Sequence, residues 1–591
     1  MRTMSTGARL YTAIYRTFVG TVEARPWLIA ALVVGSLPYL QALIATLSGP
    51  FTIDDDARQL VFWMVRWGDP ALFRDDLIAD YFASVSPPGF RAAYWLPARL
   101  GIDPVLTSKL YPITLNAVMT LYAFRLVLLL SGGRVPAAVL GAVGLAFAMA
   151  WGHMIISGTP RGFGVALLMA FLFYVAGRWT LGATITGALV ALTYPPAAAL
   201  GLAALGLTVF RRRGRAKLDL SRATVVRILC AGGLSVTILL AAAFDRDYGP
   251  IATMEQIKSE PMYRAGGRLP LLDAQGGFRI SACGGLLGIL PIEWCQLANR
   301  RPAAPVLLAI LLAALIVAAR GVGRRGPPGA RPVDWGPPAR LFVAGIVLYG
   351  VAFVLMLKLH VPSRYAVTPL RLLAFPSLIL FGVLLAERAL RSAGPASASG
   401  LTSRQCALLG LAALTVASFA TLYPLDVSRR NVTPRHPAIL AYLGSQPKTA
   451  LVAGMHGMTS NVPSFARRSV LAASEYAIPH DLGYITRYRA RADALIEAQY
   501  AADPAVLAGF LKRYRVTHLV LDPAEITADG LERVWWRREH ATAHRRATQA
   551  LARGDRPAML RVIEPCTVFR EGALVVIAAS CILERTGAPK R

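Results

Sequence analysis

"FTIDDDARQLVFWMVRWGDPALFRDDLIADYF", Phe51 to Phe82, follows the first long apolar run of a 591-residue chain that is 55% hydrophobic and 16% charged. It gathers Asp54, Asp55, Asp56, Asp69, Asp75, Asp76 and Asp80 in a protein of formal net charge +30. Carboxylates beside a bilayer are repelled by anionic headgroups and are costly in hydrocarbon. A cluster placed a few residues beyond a membrane helix therefore asks for a reason, and its side of the membrane decides both fold and chemistry.

Apolar runs near 27–48, 106–130, 136–156, 162–177, 181–210, 226–244, 304–319, 341–358, 367–387 and 405–423 read as bilayer spans. The expected fold class is mainly α, a polytopic helical membrane protein. Its bases sit in short clusters between the runs, where they set topology and meet membrane lipids, so no nucleic-acid partner is expected. Arg2, Arg9, Arg16 and Arg25 precede the first run. That run lacks a small-residue cleavage site and reads as a retained helix. The N-terminus is then cytoplasmic, and the acidic stretch emerges on the periplasmic side of a bacterial inner membrane.

The run 181–210 is broken by "TYPPAAAL", Thr193 to Leu200, where prolines remove backbone donors. The basic stretch "RRRGRAK" that follows is cytoplasmic only if this run crosses twice, which brings the count to about eleven helices. The same parity puts the basic loops 320–340 and 388–404 inside. On the outer face it collects the acidic first loop 49–104, the turn "SGTPRG", the loop 245–303, the turn "LHVPSRY" and the tail.

The chain divides into a membrane domain, 1–423, and a soluble domain, 424–591. In the latter, short apolar strands at "TALVAG", "SVLAA", "VTHLVLD" and "ALVVIAAS" alternate with helical stretches at 489–500 and 504–514. This pattern predicts a small periplasmic α/β domain. Cys283, Cys295, Cys566 and Cys581 all lie outside, where they form two disulfides or remain buried thiols.

Within the acidic loop, 58–67 mixes aromatic, apolar and basic residues and suits an amphipathic helix lying on the outer membrane surface. Arg161 and Arg364 stand at outer helix mouths, where the positive-inside rule does not place them and a phosphate or carboxylate partner benefits them most. Tyr194, His360 and Tyr365 fall on the same face, and Arg58, Asp76 and Asp80 are further candidates for substrate contact. Carboxylates facing such arginines can hold an acceptor hydroxyl or a metal while the arginines hold a phosphate. That is the chemistry of sugar transfer from a lipid phosphate. A solvated loop with its acids paired to neighbouring arginines is the simpler alternative. No Walker or dinucleotide-type glycine loop is present.

An acidic motif directly after the first span, a juxtamembrane helix, about eleven spans and an outer α/β domain resemble the GT-C superfamily of integral-membrane glycosyltransferases. "DDDARQLVFWMVRWGDPALFRDDLIADYF", "VPSRYAVTPLRLL" and "SNVPSFARRSVLAASEYAIPH" resemble uncharacterised bacterial membrane proteins grouped with it. The resemblance implies a polyprenyl-phosphate sugar donor and a glycan, lipid or protein acceptor. It also implies that Asp54, Asp55 or Asp56 is the catalytic carboxylate, as general base or as ligand of a divalent cation such as Mg or Mn through Asp55 and Asp56. The rival class is a transporter or flippase of an anionic lipid, suggested by the proline-broken run, and a third reading is a non-catalytic envelope assembly partner. Polar groups collected on one face favour interfacial chemistry over alternating access.

Overall fold

The computed structural model describes residues 6–20, 22–213, 215–244, 247–300, 331–393 and 430–586, with a few positions between 402 and 413. The expected span 304–319, nearly all of 405–423 and parts of the loops 320–340 and 388–404 lie outside the described residues.

Helix α1 (Thr6–Val19) precedes α2 (Ala24–Leu47). The acidic loop carries α3 (Asp55–Val61), α4 (Leu77–Ser84) and α5 (Pro88–Arg99), and the bundle continues with α6 (Pro104–Leu130), α7 (Val135–Trp151), α8 (Pro160–Ala176), α9 (Thr180–Thr193) and α10 (Pro195–Gly206). Among the described residues, α2, α6 and the helices Arg222–Ala241, Gly336–Val354 and Ser363–Ala393 are long and apolar enough to cross a membrane, while α7 to α10 are shorter apolar helices. The outward faces of α2 and of Gly336–Val354 present Val33, Leu37, Ile44, Ile346 and Val354. Helices that are apolar on every side belong in lipid. Small residues permit close packing, as where Gly35 of α2 lies against Ala146 and Thr120.

The broken run folds as a helical hairpin. At Tyr194 the backbone turns extended (φ −151°, ψ 92°), and Pro195 starts the next helix where its missing N–H costs nothing. A Cβ on Gly187 of α9 or on Gly201 of α10 would stand 3.0 Å from the same Phe171 ring. Positions on either side of the break thus meet one residue of α8, which only a hairpin allows. The basic stretch beyond it, expected as a plain loop, pairs as a short antiparallel ribbon of β2 (Phe210–Arg213) with β3 (Arg215–Leu218).

One end of the bundle is tied by Arg134 to Glu387 (2.7 Å) and by Glu387 to Arg391. At the other end the acidic loop, the turn before α8, the loop 247–300 and the tail converge. Here β1 (Ile53–Asp54) pairs antiparallel with β4 (Asn431–Val432), matching Ile53 with Val432 and Asp54 with Asn431. Tyr81 of α4 stacks on Tyr484 (3.7 Å between centroids) and donates to Asp481 at 3.0 Å.

The tail is the expected α/β domain. Its five-stranded sheet has the order β6 (Ser469–Val470), β5 (Leu451–Ala453), β7 (His518–Leu521), β9 (Leu574–Ala578), β8 (Thr567–Glu571), with β5 parallel to both neighbours and β9 antiparallel to β7 and β8. Helices Leu482–Tyr500 and Pro504–Tyr514 carry the chain from β6 across β5 to β7. Strand β8, with its half-exposed alternating pattern, was not legible in the sequence. Cys283–Cys295 and Cys566–Cys581 are both disulfides.

The segment 58–67 departs from expectation. It is α3 followed by a 3₁₀ turn, Phe62–Trp67, and Arg58, Phe62, Trp63, Met64 and Val65 are all buried. Of the rings read as a membrane-facing stripe, Phe62 packs instead against Phe73, Phe82 and Tyr476, and Trp63 against Trp67. A docked domain offered these rings a dry surface that a sequence taken alone would have found only in lipid.

Candidate active site

The three consecutive aspartates point three ways because they straddle a helix start. Asp54 is the N-cap of α3, its Oδ1 accepting from the backbone N–H of Asp56 (3.0 Å) and Ala57 (3.4 Å). Its side chain is buried, and Oδ2 finds no hydrogen-bond partner among the described residues. Burial first, and then the Asp56 charge, push the Asp54 carboxyl up to about 7 against the opposing pull of Arg161. Burial also raises Asp56, but Arg161, Arg430 and Arg364 together outweigh it and hold that carboxyl below its ordinary value. Two adjacent carboxyls are thereby split, one protonatable near neutrality and one ionised.

Arg161 forms the ion pair with Asp56. The turn that aims it depends on Gly158 (φ +62°), where a Cβ would meet Ser108 O at 2.7 Å and the Tyr94 hydroxyl at 3.0 Å. Arg161 lies in the first turn of α8 and Arg364 in the first turn of Ser363–Ala393. A cation at a helix N-terminus opposes the macrodipole, so neither arginine is placed there for helix stability. Both have a buried Nε without a hydrogen-bond acceptor among the described residues. Arg430 joins them through β4, its carbonyl accepting from Asp55 N at 3.1 Å.

The remaining sequence candidates separate into two groups. Tyr194, at the α9–α10 break, acts electrostatically on both Arg161 and Arg364 and stands with the cluster. His360 is also near: burial, then Arg364, His480 and Arg161, hold its ring neutral, well below the ordinary histidine range. Its Nδ1 accepts from Val361 N (2.8 Å), which assigns the remaining ring proton to Nε2 as a donor. Tyr365 is buried and spends its hydroxyl on Leu359 O (2.7 Å), fixing that turn.

Arg58, Asp55, Asp76 and Asp80 are occupied elsewhere. Arg58 bonds Asp55 (2.7 Å), Asn461 (2.5 Å) and Glu475 (3.0 Å), and Glu475 in turn holds Arg268 (2.6 Å). This junction ties the acidic loop, the loop 247–300 and the α/β domain together. Asp76 caps α4 through Ile78 N and Ala79 N, and Asp80 pairs with Arg66 (2.7 Å). These acids serve the loop's own fold; for Asp76 the signal was an aspartate directly before a helical run.

The cation expected at Asp55 and Asp56 does not suit this donor set. Asp56 is taken by Arg161 and Asp55 by Arg58, and the described residues hold no group of three His, Cys, Asp or Glu placed to share an ion.

Sequence reading missed Arg430, Asn461, Glu475 and Arg268. For Arg430 a signal existed, since it is a base shortly after an apolar run, as Arg161 and Arg364 are. In the soluble domain, "GMHGMTSN" is a turn capped by His456, whose Nδ1 accepts from Met458 N (3.2 Å). "ERVWWRREH" packs inward, with Trp536 buried and Trp535 donating to Met455 O (2.6 Å).

The chain is similar to the Archaeoglobus fulgidus oligosaccharyltransferase tethered with an acceptor peptide containing the NVT sequon, with TM-score 0.50 and 11% identity over 88% of this chain and 72% of that one. It is also similar to ArnT from Cupriavidus metallidurans bound to undecaprenyl phosphate (TM-score 0.38, 15% identity, 94% and 98% covered). A third similar structure is the mycobacterial arabinofuranosyltransferase AftD (TM-score 0.44, 16% identity, 85% and 37% covered). At these identities the likeness is one of fold. No family model and no curated protein matches the chain by sequence.

Proposed function

We propose that the protein is a membrane glycosyltransferase that moves a sugar from a polyprenyl-phosphate donor to an acceptor on the periplasmic face of a bacterial inner membrane. The observation that carries this reading is the set of unfilled polar atoms at one place. Asp54 Oδ2, Arg161 Nε and Arg364 Nε are buried and without hydrogen-bond partners among the described residues. Such atoms are costly to bury unless a ligand completes them.

The charges suit the reaction. Arg161, Arg364 and Arg430 surround one ionised carboxylate, Asp56, leaving an excess of positive charge. A donor phosphodiester carries one negative charge and becomes a more negative monoester as the sugar departs. The cluster therefore stabilises the leaving group more than the ground state. Asp54 accepts the proton from the acceptor's hydroxyl or amide. The acceptor atom bonds the anomeric carbon, the carbon–oxygen bond to the phosphate breaks, and its electron pair leaves with the lipid phosphate. One displacement inverts the configuration. His360 Nε2–H and Tyr194 supply further donors beside the phosphate.

The test is transfer of label from a panel of polyprenyl-phosphate sugars by the purified protein in lipid. Wild type is compared with Asp54→Asn, Asp55→Asn and Asp56→Asn. Loss by about a thousandfold in Asp54→Asn with the fold intact supports the base, a contribution of the size expected from a positioned proton acceptor and its charge. Undiminished transfer by Asp54→Asn removes it. A wild type that binds the lipid and transfers nothing moves the transporter reading ahead.

A further inference from the structure

Away from the aspartate–arginine cluster, a cavity of about 220 Å³ opens where α2 and α6 meet the α/β domain. Pro50, Asp103, Leu106, Lys109, Phe465 and Arg467 line it. Lys109, in the second turn of α6, donates one proton to Thr46 O at 2.8 Å. Arg467 approaches from the opposite wall and pairs with Asp103 at 2.5 Å. Its backbone is left-handed (φ +53°), uncommon for a residue with a side chain. Phe465 closes the back of the cavity by packing edge-on against Phe51.

Two cations face one carboxylate here, so one positive charge is left over. Immediately below, Leu106 and Leu110 of α6 and Ile44 and Leu47 of α2 form an exposed apolar strip, with 39%, 41%, 70% and 52% of their surfaces open. The cavity thus stands at the boundary between an apolar helix surface and a polar domain, with unspent donors just above the strip. An acyl chain requires such a strip, and an anionic headgroup requires the donors above it.

We propose that this cavity binds the headgroup of an anionic phospholipid, with Lys109 and Arg467 on the phosphodiester and the acyl chains along the strip. The single excess charge matches a phosphodiester, whereas the larger excess at Arg161, Arg364 and Arg430 matches a departing phosphate monoester. The site is therefore distinct from the donor site in both place and charge. Ser464, on the same wall, donates to Arg58 O at 2.8 Å, so a lipid held here braces the helix that carries Asp54 and Asp56.

The experiment is lipid retention by the full-length protein in native mass spectrometry, which needs no sugar transfer and so is independent of the glycosyltransferase reading. Phosphatidylglycerol, phosphatidylcholine, undecaprenyl phosphate and inorganic phosphate are offered separately to wild type, to Lys109→Gln/Arg467→Gln and to Lys109→Arg/Arg467→Lys. The expected result is retention of phosphatidylglycerol over phosphatidylcholine, falling about tenfold or more in the Gln pair and kept in the charge-conserving pair, as loss of two interfacial cations implies. Equal retention of the two phospholipids overturns the proposal. So does unchanged preference in a folded Gln pair, or binding that follows undecaprenyl phosphate or inorganic phosphate alone. Competition of phosphatidylglycerol by a soluble oligosaccharide would instead assign the cavity to an acceptor glycan.

Discussion

Arg161, in the first turn of α8, closes an ion pair with Asp56 of α3 across 105 residues of sequence. The pair fixes the distance between the bundle and the acidic loop at the place where Asp54 is buried. Removing the arginine should therefore act on chemistry more than on folding. Arg161→Ala is expected to lower the transfer rate by about a hundredfold or more, the usual effect of losing one preorganised donor to developing charge. Arg161→Lys should restore only part of this, since an ammonium does not reproduce the planar fork. Equal activity of wild type and Arg161→Ala would separate the pair from the reaction.

The pH dependence of transfer follows from Asp54. A base must be deprotonated to work, and this carboxyl is pushed up to about 7 by burial and by Asp56. The rate should rise with pH, one decade per unit, and level off above about 7. Initial rates between pH 5 and 9 test this, and a profile already flat at pH 5 contradicts it. Asp56, held low by its arginines, remains ionised through that window.

The same carboxyl carries a stability cost of opposite sense. In the unfolded chain Asp54 ionises near 3.8, whereas in the fold it stays protonated to about 7. Between those values the folded state binds the extra proton, so stability falls as pH rises. Asp54→Asn keeps an N-cap acceptor and removes the ionisation. The variant should melt higher than wild type at pH 8 and close to it at pH 4, while losing activity. Thermal unfolding in detergent at the two pH values decides it.

Glu475 is the keystone of the junction that holds α3 against the α/β domain, bridging Arg58 and Arg268. Glu475→Ala leaves the Arg58 side chain, only 9% exposed, with Asp55 as its remaining carboxylate. Losing one hydrogen bond between charged groups costs about 1.5–3 kcal/mol. A fall of several degrees in melting temperature is expected, with Glu475→Gln intermediate because it still accepts a hydrogen bond. An unchanged midpoint in Glu475→Ala would show that the junction contributes little.

Much of this molecule was legible because its information is local. The helices of the bundle follow from runs of apolar residues, and the break at Tyr194 followed from two prolines. The strands β5, β6, β7 and β9 announced themselves as apolar runs between helices, while β8, half exposed, did not. Arg161, Arg364 and Tyr194 stood out because a base at the end of an apolar run, or a proline break within one, departs from the pattern of its neighbours.

The division of labour among Asp54, Asp55 and Asp56 could not be read in the same way. Three identical residues in a row differ only in what the fold brings to each: the start of α3 for Asp54, Arg58 for Asp55, and Arg161, with Arg364 and Arg430, for Asp56. Burial of 58–67 was equally hidden, since amphipathic patterning records that a face must leave water without recording whether lipid or protein receives it. The helical bundle and the α/β tail could be read directly, because hydrophobic run length and alternation act locally. Which carboxylate is left with an unfilled oxygen depends on the packed fold, because a pKa and a free hydrogen-bonding position are set by burial and by neighbours a hundred or more residues away.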